Sequence, residues 1–149
     1  VKLFDNHDLL NAWRDNREGI RWENDDGNVV LGAIDNILVS DKEKLIVLDY
    51  KTKGFPLKEN SASYYQNQMD IYNFLLGKNG FETEDFSLLL FYVPNKVNSD
   101  GSFDFETTPV KLKVDLKNAE KLISDAFNLL KNECPAKDSV ECEWCRLIE

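Results

Sequence analysis

Asp35, Asp49 and Lys51 are the residues whose types and spacing could do chemistry. The stretch Leu45-Ile46-Val47-Leu48-Asp49-Tyr50-Lys51 reads as a short strand, apolar on both alternating faces until its last three residues. Such a strand sits inside a sheet. Side chains two apart share a face, so Asp49 and Lys51 point the same way, in line with Leu45 and Val47. A carboxylate and an ammonium at the end of a buried strand are costly unless paired or metal-bound. Asp35 lies in a second apolar run, Val29 to Val39. If Val39 pairs with Leu45, Asp35 falls opposite Asp49 and both project to one face; a slip of one residue would send Asp35 to the other. Two carboxylates on one face repel, and a divalent cation relieves that repulsion. Hard oxygen ligands on a small site suit Mg²⁺ or Mn²⁺. A neighbouring lysine can then orient or deprotonate a water, or stabilise charge developing on a phosphoryl group. The competing reading is a partly buried Asp49–Lys51 ion pair with an unrelated Asp35.

The elements that must position these residues follow from periodicity. Ser40-Asp41-Lys42-Glu43-Lys44 is a polar turn, so the two apolar runs form an antiparallel hairpin. A helix is predicted over Ser63 to Leu76, with Ser61 or Ser63 as its cap. Tyr65, Gln68, Met69, Tyr72, Leu75 and Leu76 form its inward face. Gln68 is polar on an apolar stripe and requires a partner. The loop Thr52 to Ser61 leaves the strand beside Lys51 and borders the cleft. Lys53 and Lys58 are its candidates for phosphate contact, with solvated loop lysines as the alternative. Phe86 to Val93 is a further strand, and the strand–helix–strand order favours a parallel crossover and a mixed sheet. Pro94 to Gly101 reads as a loop, and Ser102–Thr107 with Pro109–Val114 as an outer hairpin. Asp115 caps a helix from Leu116 to about Lys131, and Asp5 or Asn6 caps a short helix through Arg17. The class is α/β.

A chain of 149 residues reads as one domain with a real core. Its net charge of −9 opposes tight, sequence-independent nucleic-acid binding by this domain alone. It fits a module that receives its substrate from a larger chain or a partner. There is no bilayer-length apolar run and no signal-peptide pattern, so a cytoplasmic protein without membrane partners is expected. Cys134, Cys142 and Cys145 do not suggest a disulfide framework. Cys142-x-x-Cys145 has ligand spacing, but three thiolates are one short of the usual four. The sole histidine, His7, reads as an exposed helix-start residue, with metal ligation as the alternative.

Gly32-x-x-Asp35, then Asp49-Tyr50-Lys51-Thr52, then Gln68-x-x-x-Tyr72 resembles the RecB-like branch of the PD-(D/E)XK nucleases, which includes CRISPR-associated and phage exonucleases. The resemblance covers Val29 to Leu76. It implies a restriction-endonuclease-like core, a mixed central sheet flanked by helices. It implies a metal-dependent DNA nuclease, exonuclease-like, acting in DNA repair, recombination or defence with a helicase or similar partner. Asp35 and Asp49 would hold the metal with the Tyr50 carbonyl, Lys51 would act on the water, and Gln68 and Tyr72 would serve the same site. It also implies an iron–sulfur cluster or Zn²⁺ on the C-terminal cysteines, with a fourth ligand from an N-terminal segment that this chain is expected to lack. A degenerate, non-catalytic scaffold of the same fold is the alternative, favoured by the acidic charge; a hydrolase acting on RNA or a nucleotide is a third reading.

Overall fold

The computed structural model describes residues 1–131. Strands β1 (Lys2–Leu3), β4 (Asn36–Val39), β5 (Leu45–Thr52), β6 (Phe86–Val97) and β7 (Phe103–Lys113) form one sheet in the order β1-β4-β5-β6-β7. The β5–β6 pair is parallel and the others are antiparallel. Strands β2 (Ile20–Glu23) and β3 (Val29–Gly32) form a separate two-stranded ribbon. Helices α1 (His7–Arg14), α2 (Gln66–Lys78) and α3 (Leu116–Leu130) complete the described chain. This is the expected mixed α/β architecture, consistent with a restriction-endonuclease-like core.

The central hairpin has the expected register, with Val39 opposite Leu45 and Asn36 opposite Leu48. Its turn is closed from both ends of Ser40. The Ser40 hydroxyl accepts from the Lys42 and Lys44 amides, and the Ser40 amide donates to Lys44 O. Ile37, Val39, Leu45 and Val47 alternate onto one face, with Leu89 and Phe91 of β6. Leu10 and Trp13 of α1, Met69, Phe74 and Leu75 of α2, and Ala119 and Ile123 of α3 join the same core.

Several boundaries differ from the sequence reading. The apolar run Val29 to Val39 is two strands. β3 turns away to pair with β2, and the connecting Ile34 gives its amide to Trp13 O instead of to a strand. The Ser63–Leu76 helix begins as a 3-10 turn over Ser63–Tyr65 and becomes α-helical only at Gln66. Neither serine caps α2; the Ser63 hydroxyl donates to Asn60 O within the turn. Buried Asp70, Asn73 and Phe74 show that α2 is covered on more than one face: Asp70 meets Asn118 of α3, Asn73 donates to the Ser87 hydroxyl of β6, and Phe74 packs edge-on against Trp22 of β2. α1 stops at Arg14, where the Asp15 carboxylate captures the Arg17 and Glu18 amides. The predicted outer hairpin is one edge strand, β7, and β6 runs on to Val97 to pair with it. Pro109 is tolerated there because an edge strand has a side that needs no amide donor. Asp115 caps α3 as expected, accepting from the Lys117 and Asn118 amides. No helix among the described residues is long and apolar enough to cross a membrane.

Candidate active site

The end of β5 carries Asp49 inward. Its side chain is 2 % exposed, although it lies among apolar neighbours. Two residues on, Lys51 points to the same side and its Nζ lies 2.6 Å from Asp49 Oδ2. Oδ2 is buried and meets the charge of the Lys51 ammonium. Asp35 lies where the register predicts, one residue before β4. Its Oδ2 accepts from the Tyr50 amide at 2.9 Å, which stitches the two acids across adjoining strands. The Asp35 carbonyl accepts from Arg14 Nε at 2.6 Å, so the end of α1 braces this turn.

Lys51 is held on its other sides. Its Nζ donates to Gln68 Oε1 at 3.0 Å and sits 4.5 Å from the centre of the Tyr65 ring. The Gln68 amide in turn donates to the Tyr72 hydroxyl at 2.9 Å. The partners required by Gln68 are thus the Lys51 ammonium on one side and the buried Tyr72 phenol on the other. Tyr72 packs against Gly32: a Cβ there would stand 2.9 Å from Tyr72 Cε1 and 3.0 Å from Leu75 Cδ1. Only glycine gives the ring this approach without displacing it.

Asp35, Asp49, Tyr50, Lys51, Gln68 and Tyr72 all line one open cavity of about 720 Å³. Burial pushes the Asp49 carboxyl above its ordinary value. Lys51 pulls it back down, and the Asp35 charge adds to the upward push. Burial also raises the Tyr72 phenol, against the lowering effect of its Gln68 bond, and both carboxylates raise it further. Tyr72 therefore keeps its proton and serves as a neutral group beside two acids.

Lys53 and Lys58 do not line this cavity; they lie on the loop that leaves β5. His7 is exposed on the first turn of α1 and does not line it either. Cys134, Cys142 and Cys145 fall outside the described residues. Arg14 and Asn36 escaped the sequence reading. Arg14 reaches the Asp35 carbonyl, and Asn36 donates to the Tyr50 hydroxyl at 2.9 Å. The register places Asn36 beside Leu48 and so near Tyr50, but nothing in the sequence ties α1 to Asp35.

The model of the PD-(D/E)XK nuclease superfamily matches residues 6–149. The chain belongs to this superfamily. Members of this nuclease superfamily generally use a divalent metal. No curated protein matches the chain. The crystal structure of SSO0001 is similar over 74 % of this chain, at 21 % identity and a TM-score of 0.45, and the chain spans 47 % of that chain. The donors present fit such a metal. Asp49 Oδ2 is buried with the Lys51 ammonium as its charged neighbour, and only one oxygen of Asp35 is engaged by a strand amide. Among the described residues no group of three or more His, Cys, Asp or Glu gathers, so the site offers two carboxylates. That is a normal complement for a hard ion that keeps several waters and uses substrate phosphate oxygens.

Proposed function

We propose that the chain is a Mg²⁺- or Mn²⁺-dependent deoxyribonuclease acting at the Asp35–Asp49–Lys51 site. The observation that carries this reading is the bond from the Tyr50 amide to Asp35 Oδ2, which brings the two acids together beside an ordered lysine. Asp35, Asp49 and the Tyr50 carbonyl would hold the metal. When bound it supplies Lewis-acid polarisation of the scissile phosphate and a more acidic water. Lys51 orients the attacking water and offsets charge in the transition state. Gln68 fixes the Lys51 ammonium in one direction, and Tyr72 fixes Gln68. Lys53 and Lys58, joined at Ser61, contact substrate phosphates further out.

The finer role belongs to the same proposal. The Gln68-x-x-x-Tyr72 motif supports a RecB-like, exonuclease-like enzyme of DNA repair, recombination or defence in the cytoplasm. The charge of −9 supports delivery of DNA by a helicase or comparable partner. An iron–sulfur cluster or Zn²⁺ on Cys134, Cys142 and Cys145 remains part of the proposal for a protein that supplies a fourth ligand.

The test is digestion of end-labelled single- and double-stranded DNA with Mn²⁺, using the chain and its Lys51→Ala variant. Ladder formation by the chain alone supports the reading. Equal cleavage by both proteins removes Lys51 from the mechanism. No cleavage, together with calorimetric Mn²⁺ binding that is unaltered by Asp35→Asn, favours the scaffold.

A further inference from the structure

Beyond the cavity, β5 continues into a loop with an unusual surface for so acidic a chain. Lys53 lies two residues past Lys51, so the two ammonium groups project to the same side along an extended backbone. The Lys53 amide still donates to Tyr92 O, which keeps that backbone in line with the sheet. Two strand residues advance by roughly 6.5 Å, a step comparable to that between neighbouring phosphates of an extended nucleic-acid strand. Each lysine sits over a ring from the same 3-10 turn. Lys51 Nζ is 4.5 Å from the Tyr65 centroid and Lys53 Nζ is 5.9 Å from that of Tyr64. Lys53 is also 5.3 Å from the Phe55 ring.

The rings differ in what they are free to do. Tyr65 is half-buried and packs on Phe91. Phe55 and Tyr64 are 57 % and 74 % exposed, a high value for large apolar side chains flanking a cation. The loop that presents them is anchored. Buried Ser61 accepts from the Lys58 amide at 2.9 Å and from Lys53 Nζ at 3.4 Å, and its own amide donates to Lys58 O. A cation flanked by two open rings, on a braced loop, matches the stacking-plus-phosphate recognition of unpaired nucleotides. A paired base would have its faces covered by its neighbours in the duplex.

We propose that Lys53, Phe55 and Tyr64 form a subsite for an unpaired nucleotide next to the one being cut, so that the substrate strand is single-stranded DNA. The proposal rests on the nuclease reading of the Asp35–Asp49–Lys51 site. Affinity comes from stacking on a few rings with little help from net charge, so it depends weakly on salt. One or two phosphate contacts give a slope of about −0.7 each in log K against log salt for single strands.

The experiment measures binding and cleavage separately. Fluorescence anisotropy with a labelled single-stranded oligonucleotide and its duplex, in EDTA, reads affinity; Mn²⁺ digestion of the same DNAs reads activity. The wild type is expected to prefer the single strand. Tyr64→Ala and Phe55→Ala should each lower the single-strand to duplex affinity ratio by about fivefold or more. Tyr64→Phe should retain the ratio, because stacking does not need the hydroxyl. Lys53→Gln should reduce the salt slope by about 0.7. In cleavage, Tyr64→Ala should raise KM for the single strand more than it lowers kcat. A wild type that cleaves both DNAs without single-strand preference, or a ratio unmoved by Tyr64→Ala and Phe55→Ala, overturns the subsite and leaves the nuclease reading standing. Ring-dependent single-strand binding without cleavage retains the subsite and overturns the nuclease reading. A wild type that neither binds nor cleaves overturns both.

Discussion

Lys51 meets a carboxylate, an amide oxygen and an aromatic face within one short radius. Its charge is thereby fixed in position, which is what an electrostatic catalyst needs, because no reorganisation is then required during reaction. Lys51→Ala is expected to lower Mn²⁺-dependent cleavage by at least about a hundredfold, measured on end-labelled DNA. It should also push the Asp49 carboxyl still higher, since Lys51 is the group that holds it down. The pH dependence follows from the same pair. The folded-state pKa of Asp49 lies above its ordinary value, with burial as the first cause. Folding thus favours the protonated acid, so this contribution to stability is complete below the ordinary carboxylate value and is lost as pH rises through the raised one. Urea denaturation in EDTA should show this falling limb in the wild type and not in Asp49→Asn. Mn²⁺ affinity should climb over the same window, because the ion displaces the proton; calorimetry at stepped pH checks it.

Helix α2 sets the geometry of the site through what it packs against. Its Tyr72 ring rests on Gly32, at the end of β3, and orders Gln68. Gly32→Ala should force Tyr72 and Leu75 aside, costing about 1–3 kcal/mol in urea denaturation. Cleavage should fall as well, because Gln68 would lose its support. On the opposite side, fully buried Asp70 accepts from the Gln66 side chain, the Asp115 amide and the Asn118 side chain. It locks α2 to the start of α3. Asp70→Ala leaves the Asp115 amide without an acceptor and takes one of two acceptors from each of the Gln66 and Asn118 side chains, so it should destabilise the fold by about 2–3 kcal/mol, again by denaturation. The amphipathic pattern of α2 revealed its sheet-facing residues. The positions of Asp70 and Asn73 were not legible there, because a polar residue reads as surface until its buried partners are known.

At the scale of the whole molecule, a metal that binds only the folded chain must stabilise it. Saturating Mn²⁺ should raise the unfolding free energy by about 2.7 kcal/mol at a hundred times the dissociation constant. Asp35→Asn should abolish that gain in a thermal melt. The same acidic balance that favours a cation disfavours broad contact with DNA, so the proposed recognition of DNA rests on local groups. The sequence by itself determined the β4–β5 hairpin and the consequence that Asp35 falls opposite Asp49 if Val39 pairs with Leu45, because side chains alternate with a period of two; the structure supplied that register. It also determined the inward stripe that puts Gln68 and Tyr72 four residues apart on one helix face. The tertiary structure alone decided that the Val29–Val39 run breaks into two strands and that Arg14 of α1 braces the Asp35 turn. Periodicity records which way a side chain points along its own element; it carries no term for an amide captured by Trp13 from a distant helix, or for a ring that must lie on a bare glycine.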